Sequence, residues 1–268
     1  MKDVQNEKDE RNVSLDNVGV KDVMVPIKIK DKNKGEQHIQ AKVSCYVNLE
    51  KSQKGVHMSH LVSPLFSLAD SFGLDKWAKM AKNIMDKQTM ENKEVKTRAC
   101  KLRAEFVYFM DKRAPVSKVK SILGYDATME ILVGEGGYKS IEIKVPVSTC
   151  CPCSLELCDN QAAHNQRGII TIKTFQDIND ERNIWFEDII EAAEKAGSCP
   201  IFPVLRRPDE KFVTEEMFKN AKFVEDVVRD AVINMKEKYN DVKVFVSCEN
   251  MESIHDHSAY ADTIVNGE

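Results

Sequence analysis

Apolar and polar residues alternate along segments 21–30 (KDVMVPIKIK) and 39–49, the period-two pattern of half-buried strands. Over 61–90 the apolar positions fall three and four apart, through LVSPLFSLADSFGLDKWAKMAKNIM, and predict helix. Strand-like runs return at 98–110 and 117–133. The order then repeats, with strands near 139–147 and 168–175, helices near 185–196 and 214–238, and a strand at 241–248, DVKVFVSC, where Val242, Val244 and Val246 share a face. These elements predict an α+β chain of two consecutive β-β-α-α-β-β modules: a polar tail at 1–16, a first module at 17–135 and a second at 136–268. The halves share no clear sequence identity, so the repeat rests on element order alone, and no low-complexity segment or long linker separates them.

One position in helix 214–238 interrupts its pattern. Met217, Ala221, Val224, Val228, Ala231, Val232 and Met235 define an apolar stripe, Thr214 is placed to cap the N-terminus, and Glu215 and Glu216 suit its positive end. Glu225 falls inside the stripe, four residues after Ala221 and three before Val228, whereas Asp226 lies with Lys222, Arg229 and Asp230 on the wet side. A buried carboxylate is costly unless donors meet it. Two readings stay open: a position at the stripe's edge that reaches solvent, the usual place for an acid, or a ligand-binding acid that accepts paired N–H donors such as a guanine edge.

At 268 residues and 42% hydrophobic, the chain is long enough to bury a core for one large or two small domains. No apolar run approaches the roughly 18 residues that span a bilayer, and the start, MKDVQNEKDERN, is too polar for a secretory signal. The cytoplasm is therefore the expected location, with no membrane partner. A formal net charge of −4 argues against a nucleic-acid partner. Eight cysteines in a chain of this size suit reduced thiols, as core filler or metal ligands, better than a disulfide scaffold.

Four of those cysteines and one of six histidines lie in TCCPCSLELCDNQAAHNQRG, residues 149–168. Cys151, Cys153, Cys158 and His164 are ligand types for Zn²⁺ or a similar transition metal. C-P-C is tighter than the usual chelating pair, and no second Cys/His pair follows at finger spacing. Reduced cysteines at a tight turn therefore compete with a catalytic site built from one Cys, one His and a distant third ligand. The segment ESIHDH offers Glu252, His255 and His257 for that role, against the plainer reading of a solvated tail.

The run PVSTCCPCSLELCDNQAAHNQRG resembles the signature of the prokaryotic type IB GTP cyclohydrolases, approximately T-x-C-P-C-S followed by A-H-N-Q-R. Other blocks resemble the family in the same order: DVQNEKDERNVSLDNVGVKDVMVPI near the start, KGVHMSH at 54–60, APVSKVKS at 114–121, RRPDEKFVTEE with NAKFVEDVVRD at 206–230, and ENMESIHDHSAYA at 249–261. The resemblance implies the tunnelling fold, two β-β-α-α-β-β modules with antiparallel sheets, assembled as a homotetramer with active sites at subunit boundaries. It implies GTP as substrate, converted with water to formate and 7,8-dihydroneopterin triphosphate, the first step of tetrahydrofolate synthesis. A divalent metal, Zn, Mn or Fe, is the implied cofactor.

Residue by residue, Cys151 matches the catalytic, metal-binding cysteine and His164 the histidine that shares the metal; Cys153 and Cys158 are then not needed as ligands. Glu210 resembles an acid at the same metal, and Glu252 and His255 match residues that border or bind it. Glu225 matches the glutamate that anchors guanine, with His57 and Arg207 as further substrate-binding candidates, and His255 and His257 are suited to carry protons. Lys54, Lys112, Arg113, Lys118, Arg167, Arg206 and Arg207 are candidates for the triphosphate. Two departures stand out: His60 replaces an expected Arg in HMSH, and the loop from Cys151 to His164 is one residue longer, with CDNQAA in place of a shorter glycine-containing turn. The alternatives are an archaeal relative that closes a 2′,3′-cyclic phosphate, a nitrile reductase of the same fold, and a non-catalytic metal-binding scaffold. The metal-ligand blocks and a missing E-S-K-S-like stretch weigh against the reductase, and a scaffold leaves Glu225 unexplained.

Overall fold

A computed structural model of the chain describes residues 4–5, 7–70, 73–91 and 97–267, so positions 1–3 and 6 of the expected tail and 71–72 of the expected helical run lie outside it. In chain order the elements are β1 (Leu15–Asp31), β2 (Gly35–Leu49), α1 (Met58–Val62), a 3-10 segment (Ser63–Asp70), α2 (Gly73–Glu91), β3 (Ala99–Arg113), β4 (Lys120–Gly134), β5 (Tyr138–Cys150), α3 (Pro152–Leu157), β6 (Asn165–Asp177), α4 (Phe186–Ala196), β7 (Cys199–Pro200), α5 (Arg207–Lys219), α6 (Val224–Lys238), β8 (Lys243–Met251) and β9 (Ala259–Val265). The strands join in the order β1-β2-β3-β4-β5-β6-β8-β9, with β7 beside β5. The expected module boundary at 135/136 falls in the turn between β4 and β5.

Packing divides the chain into two compact units. The first comprises Met1–Phe106, Thr128–Ile141 and Gln176–Asn183. Its β1–β2 hairpin is antiparallel, with Val25 opposite Ala41 and Ile27 opposite Ile39. Asp31 shapes the turn: its carboxylate accepts the Asn33 and Lys34 N–H groups at 2.8 Å each, and Gly35 takes a left-handed φ of +86°. The inward face of the strands (Val25, Ile27, Val43, Leu102) is buried, as are Leu61, Leu65, Leu68, Trp77 and Ile84 of the helical segments that pack on β1. Each such side chain contributes about 1.5–3 kcal/mol on leaving water. The 61–90 run is not one helix, because Pro64 has no N–H to continue the ladder and α1 gives way to the 3-10 segment.

The second unit comprises Val107–Ala127, Glu142–Phe175 and Ile184–Glu268. Antiparallel register sets Ile170 opposite Cys248 and Ile172 opposite Val246, all buried. Ile189, Ile190 and Ala193 of α4 and Val227, Ala231 and Met235 of α6 are buried too, with α4 and α6 in contact and α6 packed on β8 and β9. Val242, Val244 and Val246 share the buried face as their alternation predicts. The last strand, β9, had no counterpart among the sequence-predicted elements; its seven residues alternate between half-buried and exposed, and Val246 pairs with Thr263.

The expected helix 214–238 is two helices. Residues 220–223 spend their polar groups on strand ends: the Lys222 N–H donates to Cys150 O at 3.1 Å, and Asn220 Nδ2 donates to the carbonyls of Gly197 and Ser198 at 3.1 Å each. Phe223 is extended (φ −72°, ψ 161°), and its N–H donates to Asp226 Oδ2, which starts α6 afresh. Thr214 is accordingly not an N-cap; it lies within α5, its hydroxyl donating to Glu210 O. The break re-phases the apolar stripe, so α6 buries Val224, Val227, Val228, Ala231 and Met235 and leaves Glu225 exposed in this chain. Among the described residues no helix is long and apolar enough to cross a membrane.

Candidate active site

β5 ends at Cys150, and Cys151 is the extended N-cap of α3 (φ −75°, ψ 118°), whose first helical position is Pro152. Proline suits that position because its fixed φ is helical and the missing N–H would have had no helical acceptor. C-P-C is thus a strand-to-helix corner that leaves the Cys151 thiol partly exposed, while burial and the neighbouring Cys151 push the Cys150 thiol up and leave it neutral filler.

The chain returns through Asp159 and Asn160, both left-handed (φ 53° and 60°), with Asn160 N–H on Leu155 O at 2.9 Å. Asp and Asn tolerate this conformation, so the longer loop closes without the glycine that the resemblance led one to expect. His164 then lies against the corner: its carbonyl accepts the Cys151 N–H at 3.2 Å, and its own N–H donates to Ser154 Oγ at 3.1 Å. Its Nδ1 is 3.1 Å from Gln166 Oε1, and Gln166 Nε2 donates to Thr149 Oγ1 at 3.0 Å. With Nδ1–H donating to Gln166, the Nε2 lone pair is free for a metal.

Glu252, just after β8, brings Oε2 to 3.6 Å from His164 Nδ1. That oxygen is buried and accepts no hydrogen bond from any described residue. A buried carboxylate oxygen without a donor is costly, and a cation answers the cost. Thiol, imidazole and carboxylate are donor types that suit Zn²⁺, Fe²⁺ or Mn²⁺, so the chemistry of Cys151, His164 and Glu252 fits the implied metal although their side chains are not gathered into a ready site.

The chain does not gather the full expected ligand set. Among the described residues no three His, Cys, Asp or Glu side chains form a metal-binding group. Glu210 is exposed in the first turn of α5. His255 and His257 are exposed in the bends at 253–257, their rings stacked at 5.1 Å. ESIHDH therefore divides between a partly buried Glu252 beside His164 and an exposed pair of stacked histidines.

Glu225 borders a groove of ≈ 540 Å³ with Val228 and Val232 of α6 and Ala261, Thr263 and Val265 of β9. Arg207 is exposed at the start of α5. In the first unit, His57 is the N-cap of α1, and the buried Gln88 grips its backbone at both ends, accepting its N–H at 3.4 Å and donating to its carbonyl at 3.1 Å. The His57 ring stacks on His60 at 5.4 Å, so the departure from Arg is a ring contact here.

Sequence reasoning missed Ser154, Gln166 and Asp209. The first two stand inside the quoted run without a role; Asp209 carried the one usable signal, an acid at the third position of a helix that opens with Arg-Pro.

The architecture is shared with solved structures of urate oxidase. That of Bacillus sp. TB-90 superposes with a TM-score of 0.51 at 11% identity, over 95% of this chain and 100% of that one. The molecule is thus a tunnelling-fold protein. Sequence narrows the class: the model of the family described as type I GTP cyclohydrolase FolE2 matches residues 1–261. The GTP cyclohydrolase FolE2 of Citrifermentans bemidjiense is 41% identical over 261 residues, 97% of this chain and 93% of that protein. That of Thermosipho africanus is 40% identical over 262 residues, 97% and 96% of the two chains. This chain belongs to the type I GTP cyclohydrolase FolE2 family.

Proposed function

We propose that the protein is a metal-dependent GTP cyclohydrolase of type IB that converts GTP and water to formate and 7,8-dihydroneopterin triphosphate, the first step of tetrahydrofolate synthesis. Near-full-length similarity to the FolE2 relatives carries this reading, and the buried Glu252 oxygen beside His164, which accepts no hydrogen bond from the described residues, supports its metal requirement. Cys151, His164 and Glu252 would hold Zn²⁺, Mn²⁺ or Fe²⁺, with Glu210 and His255 drawn in on binding; the metal would supply hydroxide near neutral pH for attack at C8.

The chain's own groups do the rest. Glu225 accepts guanine N1–H and the exocyclic amine together, which orients the purine. His255 or His257 protonates the imidazole nitrogen as the ring opens. Arg207 is among the cations for the triphosphate.

The same reading makes the protein a homotetramer with active sites at subunit boundaries. Glu225 is exposed on an open groove beside the edge strand β9, and Met251, Tyr260 and Ile264 are exposed on the second unit. A neighbouring copy would enclose the carboxylate and cover the apolar residues. Eight free thiols suit the reducing cytoplasm.

The test is to incubate metal-stripped protein with GTP and each ion in turn, following formate and a fluorescent pterin and identifying the product by mass as the linear triphosphate. No formate with any ion would overturn the reading.

A further inference from the structure

Thr149, one residue before the end of β5, is wholly buried. A side chain at Gly168 of β6 would bring its Cβ to 3.2 Å from the Thr149 methyl and to 2.7 Å from Oδ1 of the buried Asn250 in β8. Glycine alone lets both neighbours close over β6 at that point. Threonine is stiff at χ1, so with its methyl seated at Gly168 its hydroxyl is held in one direction, 3.0 Å from Gln166 Nε2. Gln166 spans from there to the imidazole, with Oε1 3.1 Å from His164 Nδ1.

The backbone of His164 is held separately, through Cys151 N–H and Ser154 Oγ, so this relay acts on the ring alone. A neutral imidazole carries its proton on one nitrogen, and only the other can bind a metal. Two groups face Nδ1. The Gln166 amide has an oxygen and an NH₂ to offer, whereas Glu252 Oε2, at 3.6 Å, is an acceptor only when ionised. That distance is too long for a hydrogen bond, so the carboxylate acts through its charge. A lone pair on Nδ1 would face it unfavourably, which puts the proton on Nδ1 and the Gln166 oxygen towards the ring. The amide NH₂ then donates to Thr149 Oγ1. The carboxylate thus favours one tautomer, and the threonine keeps the amide from turning over.

We propose that Thr149 is a positioning residue for the metal site: by holding the Gln166 amide with its oxygen towards the ring, it keeps the His164 proton on Nδ1 and presents Nε2 as the ligand atom. That Nε2 receives a metal rests on the proposed function; the tautomer rests on the relay.

The experiment takes full-length, metal-free protein labelled with ¹⁵N-histidine at about pH 8, where an unperturbed imidazole is neutral. Ring nitrogen shifts report which atom carries the proton, and the His164 signals are identified by their loss in His164→Gln. Zn²⁺ affinity is measured in parallel by competition with a chelator. Wild type should show the proton on Nδ1. Thr149→Val keeps the shape, removes the hydroxyl and frees the amide to turn, so a substantial share of the Nε2–H form should appear and Zn²⁺ should bind about tenfold more weakly. Thr149→Ser restores the hydroxyl and should match wild type in both measurements. A wild type with its proton on Nε2, a tautomer unchanged in Thr149→Val, or a shifted tautomer with wild-type Zn²⁺ affinity overturns the proposal. So does Thr149→Ser behaving like Thr149→Val, which would assign the effect to packing of the methyl. If Thr149→Val fails to fold, Thr149→Ala is read by the same criteria. Wild type in the Nδ1–H form that binds no divalent ion would sink the metal-dependent reading and leave the tautomer assignment standing.

Discussion

His164 and Glu252 meet across the ends of β6 and β8, with imidazole Nδ1 3.6 Å from a carboxylate oxygen that is buried and accepts no hydrogen bond from any described residue. A cation would offset the cost of burying that oxygen. Glu252→Gln should therefore cost metal affinity more than the loss of an outer partner does, while the metal-free protein keeps or gains thermal stability, since an unmet buried charge has gone. Gln166→Ala, which frees the imidazole from its outer hydrogen bond, should lower metal affinity by about 10–100-fold. Metal content after dialysis against graded chelator measures both, and wild-type retention in Glu252→Gln would remove that residue from the metal site.

Cysteine position separates catalysis from filler. Cys151 occupies the strand-to-helix corner beside His164, whereas Cys158 is exposed at the far end of α3. Cys151→Ala should abolish formate release and Cys158→Ala should leave it largely intact. Equal losses in the two variants would point back to a multi-cysteine structural site.

Glu225 offers the guanine test. Glutamine presents an amide that cannot accept both N–H donors, so Glu225→Gln should lose a charge-assisted pair worth roughly 1.5–3 kcal/mol per bond. The loss falls on KM if the pair forms equally in ground and transition states, and on kcat as well if ring opening needs the alignment. Folding should be unaffected, because the side chain is exposed and the α6 stripe does not include it. Steady-state turnover of GTP at matched thermal stability is the measurement, and unchanged kinetics would return Glu225 to a solvated helix edge.

Alkaline pH should destabilise the fold through buried thiols. Burial, with Glu216 and Glu194 nearby, pushes Cys199 up to about 11; burial, with Glu249, pushes Cys248 up to about 12. Unfolded thiols ionise at about 8.5, so above that value the native state holds more protons than the unfolded one and stability falls as pH rises, until the native thiols ionise too. Urea midpoints at about pH 7.5 and about pH 10 should differ in that direction, and less in a Cys199→Ser/Cys248→Ser double variant. An identical drop in the double variant would assign the effect to other groups.

Sequence alone located most of the long strands and the helical stretches, though not β9 or α3, and it named Cys151, His164, Glu225 and Glu252 as candidates for chemistry. Alternation in KDVMVPIKIK and DVKVFVSC reports which face of a strand is apolar, a local property that survives any tertiary arrangement. Only the tertiary structure decided that 214–238 breaks at 220–223, that Asp209 and not an apolar residue anchors α5, and that Glu252 reaches His164 while Glu210 and His255 stay exposed. In each case the deciding partner is a backbone or side-chain group distant along the chain: Cys150 O for Lys222, the Val116 and Ser117 amides for Asp209, the ends of β6 and β8 for the acid and the histidine. Periodicity records where a residue faces; hydrogen bonds of this kind are chosen by which strand ends the fold brings together.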